Sequence, residues 1–195
     1  MVFSEKEILG SIALVFDVVA HVPYVWTTLT KKTKPHMFSW IVWTITIGTA
    51  FAAQVSENAG PGAWVTGLAT AFSLLITGLS FFFGEKHITR GDWISFIAAL
   101  AAAPLWYFTK SPLLAVLLVT FVDVVGYYPT IRKSYNQPWK ESAFLYGTAT
   151  FTSLISIFAL ENISLVTMLY PAALVACNGV LTSELLYRRA VLKKS

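Results

Sequence analysis

Apolar stretches long enough to cross a membrane recur along the whole chain, and they constrain its fold more than any other feature. A helix needs about 20 mostly apolar residues to span a bilayer. The connections between these stretches are too short to hold an extramembrane domain. The sequence therefore predicts an all-α polytopic membrane protein with seven transmembrane helices, drawn from residues 8–29, 37–55, 62–83, 93–109, 112–131, 142–160 and 164–187.

Composition and motifs exclude several other classes. Only 12% of the 195 residues are charged, against about 25% in a soluble domain, so we exclude nucleic-acid binders, disulfide scaffolds and disordered tails. The only cysteine, Cys177, permits neither an internal disulfide nor a thiolate metal cluster, and we expect no metal and no other cofactor. The hydrolase, metalloprotease and nucleotide-binding motifs are missing, and we expect no enzymatic activity.

The basic residues predict an orientation. If the chain crosses the membrane seven times, 12 of its 14 lysines and arginines fall on one side. Short loops rich in Lys and Arg remain in the cytoplasm, so we expect the N-terminus outside and the C-terminus inside. The short ends favour a bacterial plasma membrane. The remaining two basic residues are Lys6 and Lys110; the other side carries Lys31, Lys32, Lys34, Lys86, Arg90, Arg132, Lys133, Lys140, Arg188, Arg189, Lys193 and Lys194.

An internal repeat divides the chain. The segment from Asp17 to Pro23 reads DVVAHVP, and the segment from Asp123 to Pro129 reads DVVGYYP, at an offset of 106 residues. A polar, basic stretch follows each proline, and the match then continues at an offset of 103. The second part of the match pairs Pro35 with Pro138, Ser39 with Ser142, and the aromatic Trp43 with Tyr146.

The repeat predicts three structural units. Residues 1–90 would form a first triple-helix bundle and residues 111–195 a second, joined by a linker helix within 91–110. Three crossings leave the chain on the opposite face, so one further crossing lets the second unit start in the same orientation as the first. The two units are therefore expected to be parallel repeats, related by an axis along the membrane normal.

These residues give the chain a resemblance to the SWEET/PQ-loop superfamily. The resemblance rests on the 3+1+3 layout and on a proline near the inner end of each first repeat helix, followed by a basic loop and a serine that opens the next helix. The Pro-Gln pair of that superfamily is replaced by Pro23-Tyr24 and Pro129-Thr130. The resemblance implies either a small-solute transporter or, as in KDEL receptors, a receptor on the same fold.

Two acidic residues lie near the middle of predicted spans, where a charge is costly and usually functional. Asp17 and Asp123 occupy equivalent repeat positions, and His21 and Tyr127 follow each acid by one helical turn. These four residues predict a central site that binds a polar solute or a cation. The alternative is that each Asp only holds neighbouring helices together by hydrogen bonds.

The repeated prolines are candidate hinges. Pro23 and Pro129 each remove one intrahelical hydrogen bond and bend the helix. The resemblance associates these prolines with gate motion; a static bend needed for packing is the alternative.

Four further residues are candidate substrate contacts. Asn178 lies midway along the last span, and matching Gly78 with Gly179 places Thr77 at the equivalent position of the first repeat. The paired aromatics Trp43 and Tyr146 would stack on a substrate or close its pocket. Helix–helix hydrogen bonding and plain packing are the alternatives.

The sequence therefore predicts a small-solute transporter that works by alternating access, with proton coupling left open. The rival prediction is a non-transporting membrane receptor or scaffold. We expect a small polar solute and the lipid bilayer as partners, no nucleic acid, and leave oligomer formation open. Glu184 is predicted to pair with Arg188, four residues further on, and not to belong to the site.

Overall fold

The structure, a computed structural model, describes residues 3–32, 35–84, 88, 90–136, 138–140 and 142–192, with positions 128, 129, 132, 133 and 140 described by their backbone alone. The described part is helical and contains no β-strand. Its α-helices are α1 (Glu5–Leu29), α2 (Met37–Ser56), α3 (Trp64–Phe83), α4 (Arg90–Thr109), α5 (Pro112–Asn136), α6 (Ala143–Phe158) and α7 (Leu165–Val191), and its short 3-10 turns are η1 (Gly60–Ala63) and η2 (Pro138–Lys140).

The helices have the length and composition of membrane spans. In the described part, five segments are long and apolar enough to cross a bilayer: Glu5–Leu29, Met37–Ser56, Gly60–Phe83, Arg90–Thr109 and Leu165–Val191. Pro112–Tyr127 and Ala143–Phe158 are shorter apolar helices. Large apolar side chains such as Phe82 and Phe108 point outward and are about four-fifths exposed, as expected for a surface solvated by lipid. The prediction of a helical membrane protein is confirmed at this level.

Polar side chains fix where the helices begin. Ser4 and Ser164 cap α1 and α7 in capping boxes, and the Ser142 hydroxyl accepts the Leu145 N–H at the start of α6. Such side chains satisfy amide donors that the first turn leaves unpaired. The repeated serine Ser39, expected to open α2, lies within its first turn instead. The cap of α2 is His36, whose ring nitrogen accepts the Ser39 N–H.

The helices pack as two trios around a shared interface. We call α1, α2 and α3 the first trio and α5, α6 and α7 the second. In the first trio α3 packs against both α1 and α2, and in the second α7 packs against both α5 and α6. Between the trios the principal contacts join α1 to α6 and α2 to α5. If α1, α2 and α3 are exchanged with α5, α6 and α7 in that order, the same helix pairs are in contact. α4 packs outside, against α2 and α5.

One end of the bundle, which carries η1 and the α6–α7 loop, ties the two trios together; we call it the η1 end. The Glu161 N–H donates to the Ala59 carbonyl at 3.0 Å, and the Asn162 side-chain amide donates to the Glu57 carbonyl at 2.7 Å. The Lys6 ammonium donates to the carbonyl of Leu160. The two loops therefore form one hydrogen-bonded cover over this end.

The opposite end gathers most of the described basic residues. Lys31, Lys32 and Arg90 lie near the ends of α1 and α4 there, while Lys6 and Lys110 lie toward the η1 end. Arg188 and Arg189 also lie at the opposite end, where they donate to the carbonyls of Tyr135 and Pro138. Lys34, Lys86, Lys193 and Lys194 lie outside the described residues, and Arg132, Lys133 and Lys140 are described by backbone alone.

The predicted pair of Glu184 with Arg188 is wrong. The Glu184 carboxylate accepts a hydrogen bond from Ser134 of α5 at 2.8 Å. Arg188 instead stacks on the Tyr135 ring, with its guanidinium carbon 3.9 Å from the ring centroid. Both α7 side chains thus reach across to α5, because partners on a packed neighbouring helix are closer than the solvent-facing position one turn away.

Candidate functional site

A cavity of about 220 Å³ lies inside the bundle, between the two trios. Every helix of both trios contributes to its described lining, and α4 contributes none of it. The volume is smaller than the roughly 300–1,000 Å³ of pockets for drug-sized ligands. Its size suits a solute of a few non-hydrogen atoms.

Most of the candidate site residues line this cavity. Pro23 lies inside α1 but is not among the described lining residues. The side chain of Pro129 lies outside the described part, and α5 continues through its position without interruption. Thr77 also does not appear in the described lining, because its hydroxyl meets that of Thr44 at 2.9 Å and links α3 to α2. The candidates that line the cavity are Asp17, His21, Trp43, Asp123, Tyr127, Tyr146 and Asn178.

The cavity lining repeats with the same offsets as the sequence. Positions of α1 and α5 that are 106 residues apart line it together, as do positions of α2 and α6 that are 103 apart. Matching Gly78 with Gly179 gives an offset of 101 for α3 and α7, and two further pairs appear. The lining pairs are Asp17 and Asp123, Ala20 and Gly126, His21 and Tyr127, Trp43 and Tyr146, Ala69 and Tyr170, and Ser73 and Leu174.

The Asp123 carboxylate is held by hydrogen bonds from two other helices. Asp123 is 7% exposed, and its Oδ1 accepts a hydrogen bond from the Thr46 hydroxyl of α2 at 2.9 Å. Its Oδ2 accepts from the Tyr170 hydroxyl of α7 at 2.5 Å. Both donors are themselves buried. We call Asp123, Thr46 and Tyr170 the Asp123 pole; in it both oxygens of the acid are satisfied by the protein.

The Asp17 carboxylate is equally buried, at 6% exposed, but only half satisfied. Its Oδ1 lies 3.2 Å from Nδ1 of His21, which also lies 3.0 Å from the Asp17 carbonyl oxygen. Both of these oxygens are acceptors, so Nδ1 must carry the proton. Oδ2 of Asp17 has no hydrogen-bond partner among the described residues. The imidazole stacks on Phe72 of α3, with the ring centroids 4.8 Å apart, and is thereby held in place.

Two hydroxyls on the same cavity also lack partners. Ser73 of α3 and Thr152 of α6 line the cavity and are almost fully buried. Neither side-chain oxygen has a hydrogen-bond partner among the described residues. We call Asp17, Ser73 and Thr152 the Asp17 pole. Buried polar atoms are nearly always paired, so three such atoms on one cavity require an explanation.

The remaining wall combines an amide with aromatic rings. The Asn178 side-chain oxygen accepts from the Tyr127 hydroxyl at 2.9 Å, which joins α7 to α5. Trp40 and Trp43 meet edge to face with centroids 5.1 Å apart, and the Trp40 indole N–H donates to the Tyr24 hydroxyl. This wall offers a flat apolar surface beside a polar group.

The charge of the lining has one sign. Two carboxylates line the cavity, and no lysine or arginine is found in its described lining. No group of three or more His, Cys, Asp or Glu residues that could hold a metal occurs within the described ranges. The arrangement therefore suits a small positively charged or hydrogen-bond-donating solute better than an anion.

Sequence reasoning missed several residues of the site. Thr46 and Tyr170 carry no signal of their own, because a hydroxyl is common in membrane helices and only its partner makes it informative. The hydroxyls of α6 did carry a signal, since Thr152, Ser153 and Ser156 recur at three- and four-residue spacing and so lie on one helical face. All three line the cavity.

Comparison with known proteins assigns no family to this chain. No family model, curated protein or solved structure matches it. The function therefore has to be argued from the geometry of the cavity.

Proposed function

We propose that the chain is a seven-span membrane protein of 3+1+3 organisation. On this proposal α5 and α6 cross the bilayer with the five longer segments, residues 1–90 and 111–195 form two parallel triple-helix units, and α4 is the linker. The exchange symmetry of the packing and the paired cavity lining support it. The organisation is that of the SWEET/PQ-loop superfamily, which the sequence resembles.

Its proposed function is the transport of a small polar solute by alternating access. The observation that carries the proposal is a buried cavity that holds one carboxylate from each trio and lies along the contact between the trios. Charged groups at membrane depth typically mark substrate or ion pathways. A site at the repeat interface opens to either side when one repeat rocks against the other.

The distribution of basic residues supports an orientation for this transporter. Lys and Arg cluster at the opposite end, and short basic loops face the cytoplasm. On this proposal the η1 end faces outward, so the hydrogen-bonded loops close the outer entrance. The outward-open state would then require the bonds from Glu161 and Asn162 to break.

Cysteine accessibility tests alternating access without knowledge of the solute. Cys177 is the only cysteine, so Cys177→Ser provides a cysteine-free background. Ala149→Cys then places one thiol in the cavity lining. We expect a membrane-impermeant thiol reagent to modify reconstituted protein from either side of the bilayer, because each side gains access in one of the two states.

A lipid-facing cysteine is the matched control. Leu75→Cys, in the same background, replaces an outward-facing α3 residue that is 48% exposed, and the aqueous reagent should not modify it from either side. Modification of Ala149→Cys from one side only would support a receptor or scaffold and reject transport. Absence of modification from both sides would reject a water-accessible cavity.

A further inference from the structure

The two poles of the cavity are equivalent by the repeat but differ in their donors. In the Asp123 pole, Thr46 and Tyr170 each donate to the acid. The offset of 103 matches Thr46 to Ala149, and the offset of 101 matches Tyr170 to Ala69. Both alanines line the cavity. The donors that would satisfy Asp17 are thus replaced by methyl groups, and the space is left to the cavity.

At other matched positions the polar residue belongs to the Asp17 side and the apolar residue to the Asp123 side. Ser73 matches Leu174, and Ser153 of α6 matches Ala50, which is fully buried in an apolar core with Val116 and Val119. Both acids line the cavity, but protein hydroxyls bond both oxygens of the second, whereas the first shares the cavity with hydroxyls that have no partner among the described residues. Such a difference is expected if one acid holds the helices and the other holds a ligand.

The unpartnered atoms of the Asp17 pole define what that ligand must offer. Oδ2 of Asp17, Oγ of Ser73 and Oγ1 of Thr152 come from α1, α3 and α6. All three can accept a hydrogen bond, and one carries negative charge. A primary ammonium group supplies one positive charge and several N–H donors, which complement a carboxylate oxygen without a partner. A hard metal cation usually takes six or more oxygen ligands, more than the unpartnered oxygens of the pole.

The rest of the cavity excludes a second charge of opposite sign. With no lysine or arginine in its described lining, the cavity offers a ligand carboxylate or phosphate only the His21 imidazole, which is already paired with Asp17. Trp43 and Tyr146 offer aromatic surface to an alkyl chain, and a cation also interacts favourably with such rings. A cavity of about 220 Å³ has room for a short alkyl chain.

We propose that the Asp17 pole binds the protonated amino group of a small aliphatic primary amine, while Asp123 acts as a structural tie between the trios. The proposal rests on the proposed function in that it names the class of solute carried by the same cavity. A buried carboxylate oxygen without a partner is costly. A bound amine would give this oxygen a partner and so remove that cost.

Equilibrium binding to detergent-purified protein tests this assignment. The probe is n-butylammonium chloride, titrated calorimetrically at neutral pH, with tetramethylammonium chloride, 1-butanol, sodium butyrate and sodium chloride as comparison solutes. We expect saturable binding of n-butylammonium alone. Tetramethylammonium has the charge without N–H donors, and 1-butanol has the chain without the charge. Equal binding of tetramethylammonium or sodium ions would overturn the assignment to a primary amine.

Variants assign the binding to the pole. Asp17→Asn should weaken n-butylammonium binding about 100-fold, as expected when one partner of a buried charge pair is removed. Ser73→Ala and Thr152→Val should each weaken it about 10-fold. Thr120→Val is the matched control, because Thr120 has a buried hydroxyl without a partner among the described residues but lies outside the described lining; it should leave the affinity unchanged. Unchanged affinity in a folded Asp17→Asn variant would overturn the proposal.

A converse variant guards against misfolding as the cause of lost binding. Ala149→Thr gives Asp17 the donor that Thr46 gives Asp123, so it should weaken amine binding about 10-fold while the protein stays at least as stable. Unweakened binding would contradict the proposed geometry. Amine binding without two-sided thiol labelling would reject transport and keep the ligand; two-sided labelling without amine binding would reject the ligand and keep transport.

Discussion

The Asp17 and Asp123 poles are built from the same repeat and yet treat their acids differently. Both carboxylates are more than nine-tenths buried and lie on the same cavity. Asp123 accepts hydrogen bonds from α2 and α7 on its two oxygens, whereas one oxygen of Asp17 has no hydrogen-bond partner among the described residues. The equivalent positions therefore differ in how completely their carboxylates are hydrogen-bonded.

The difference lies in the residues that stand opposite the two matching acids. Where Asp123 has the hydroxyls of Thr46 and Tyr170, the matching positions 149 and 69 hold alanine, which cannot donate to Asp17. The two trios therefore combine a similar pattern of helix contacts with different hydrogen bonding at the two acids.

The largest effect expected from this comparison is on stability. Asp123→Ala leaves the buried hydroxyls of Thr46 and Tyr170 without their acceptor, and each such loss costs about 1–3 kcal/mol. We expect a loss of about 3 kcal/mol in the free energy of unfolding, measured by titration of the solubilised protein with a denaturing detergent. Asp17→Ala removes fewer bonds and should cost less than about 1 kcal/mol. Equal losses at the two positions would contradict the asymmetry of the poles.

The η1 turn at the end of the bundle is tightly packed. η1 packs against α1, α3 and α6, and a Cβ on Gly62 would lie 2.7 Å from the Ser156 carbonyl oxygen and 2.8 Å from the Leu160 nitrogen. Backbone atoms cannot move aside easily, so Gly62→Ala should lower the free energy of unfolding by about 2 kcal/mol. The control is Gly78→Ala, where a Cβ would meet no described atom within 4 Å. A neutral Gly62→Ala would show that the cover yields readily.

The smallest predicted effect comes from removing one donor of the Asp123 pole, the Thr46 hydroxyl. Thr46→Val keeps the shape of the side chain and removes its hydrogen bond to the carboxylate, so we expect a loss of about 1.5 kcal/mol, in the range for a bond to a charged group. Thr120→Val removes a hydroxyl without a partner among the described residues and should not destabilise the protein. The same detergent titration measures both. If both variants lose equal stability, the Thr46 bond contributes nothing specific.

Much of the fold could be predicted from apolar stretches of sequence, but helix ends could not. The apolar stretch 112–131 predicts a span that ends at residue 131, but α5 extends to Asn136. The stretch 164–187 likewise predicts an end at residue 187, but α7 extends to Val191. Hydropathy marks the part of a helix that lipid can solvate. Beyond that part the two helix ends still bond to each other, since the Arg188 guanidinium of α7 donates to the Tyr135 carbonyl of α5.

The site could be predicted where polarity contrasts with an apolar setting. Asp17, His21 and Asp123 stand out in apolar spans, and the repeat places the two acids at matching depth. The direction in which the Thr77 side chain points could not be predicted in this way. Matching the two repeats predicts only its position along the helix, and its hydroxyl bonds to that of Thr44 on the neighbouring helix. The unequal partners of the two acids depend on three helices meeting, which one sequence pattern does not encode.

The Asp123 hydrogen bonds join α2 of the first trio to α5 and α7 of the second, at about half the length of α2 and α5. A joint at mid-length works as a fulcrum. If one trio tilts against the other about this point, the two ends of the bundle move in opposite directions by similar amounts. When the loops at Ala59 and Glu161 separate, the trios would then move closer together at the far end.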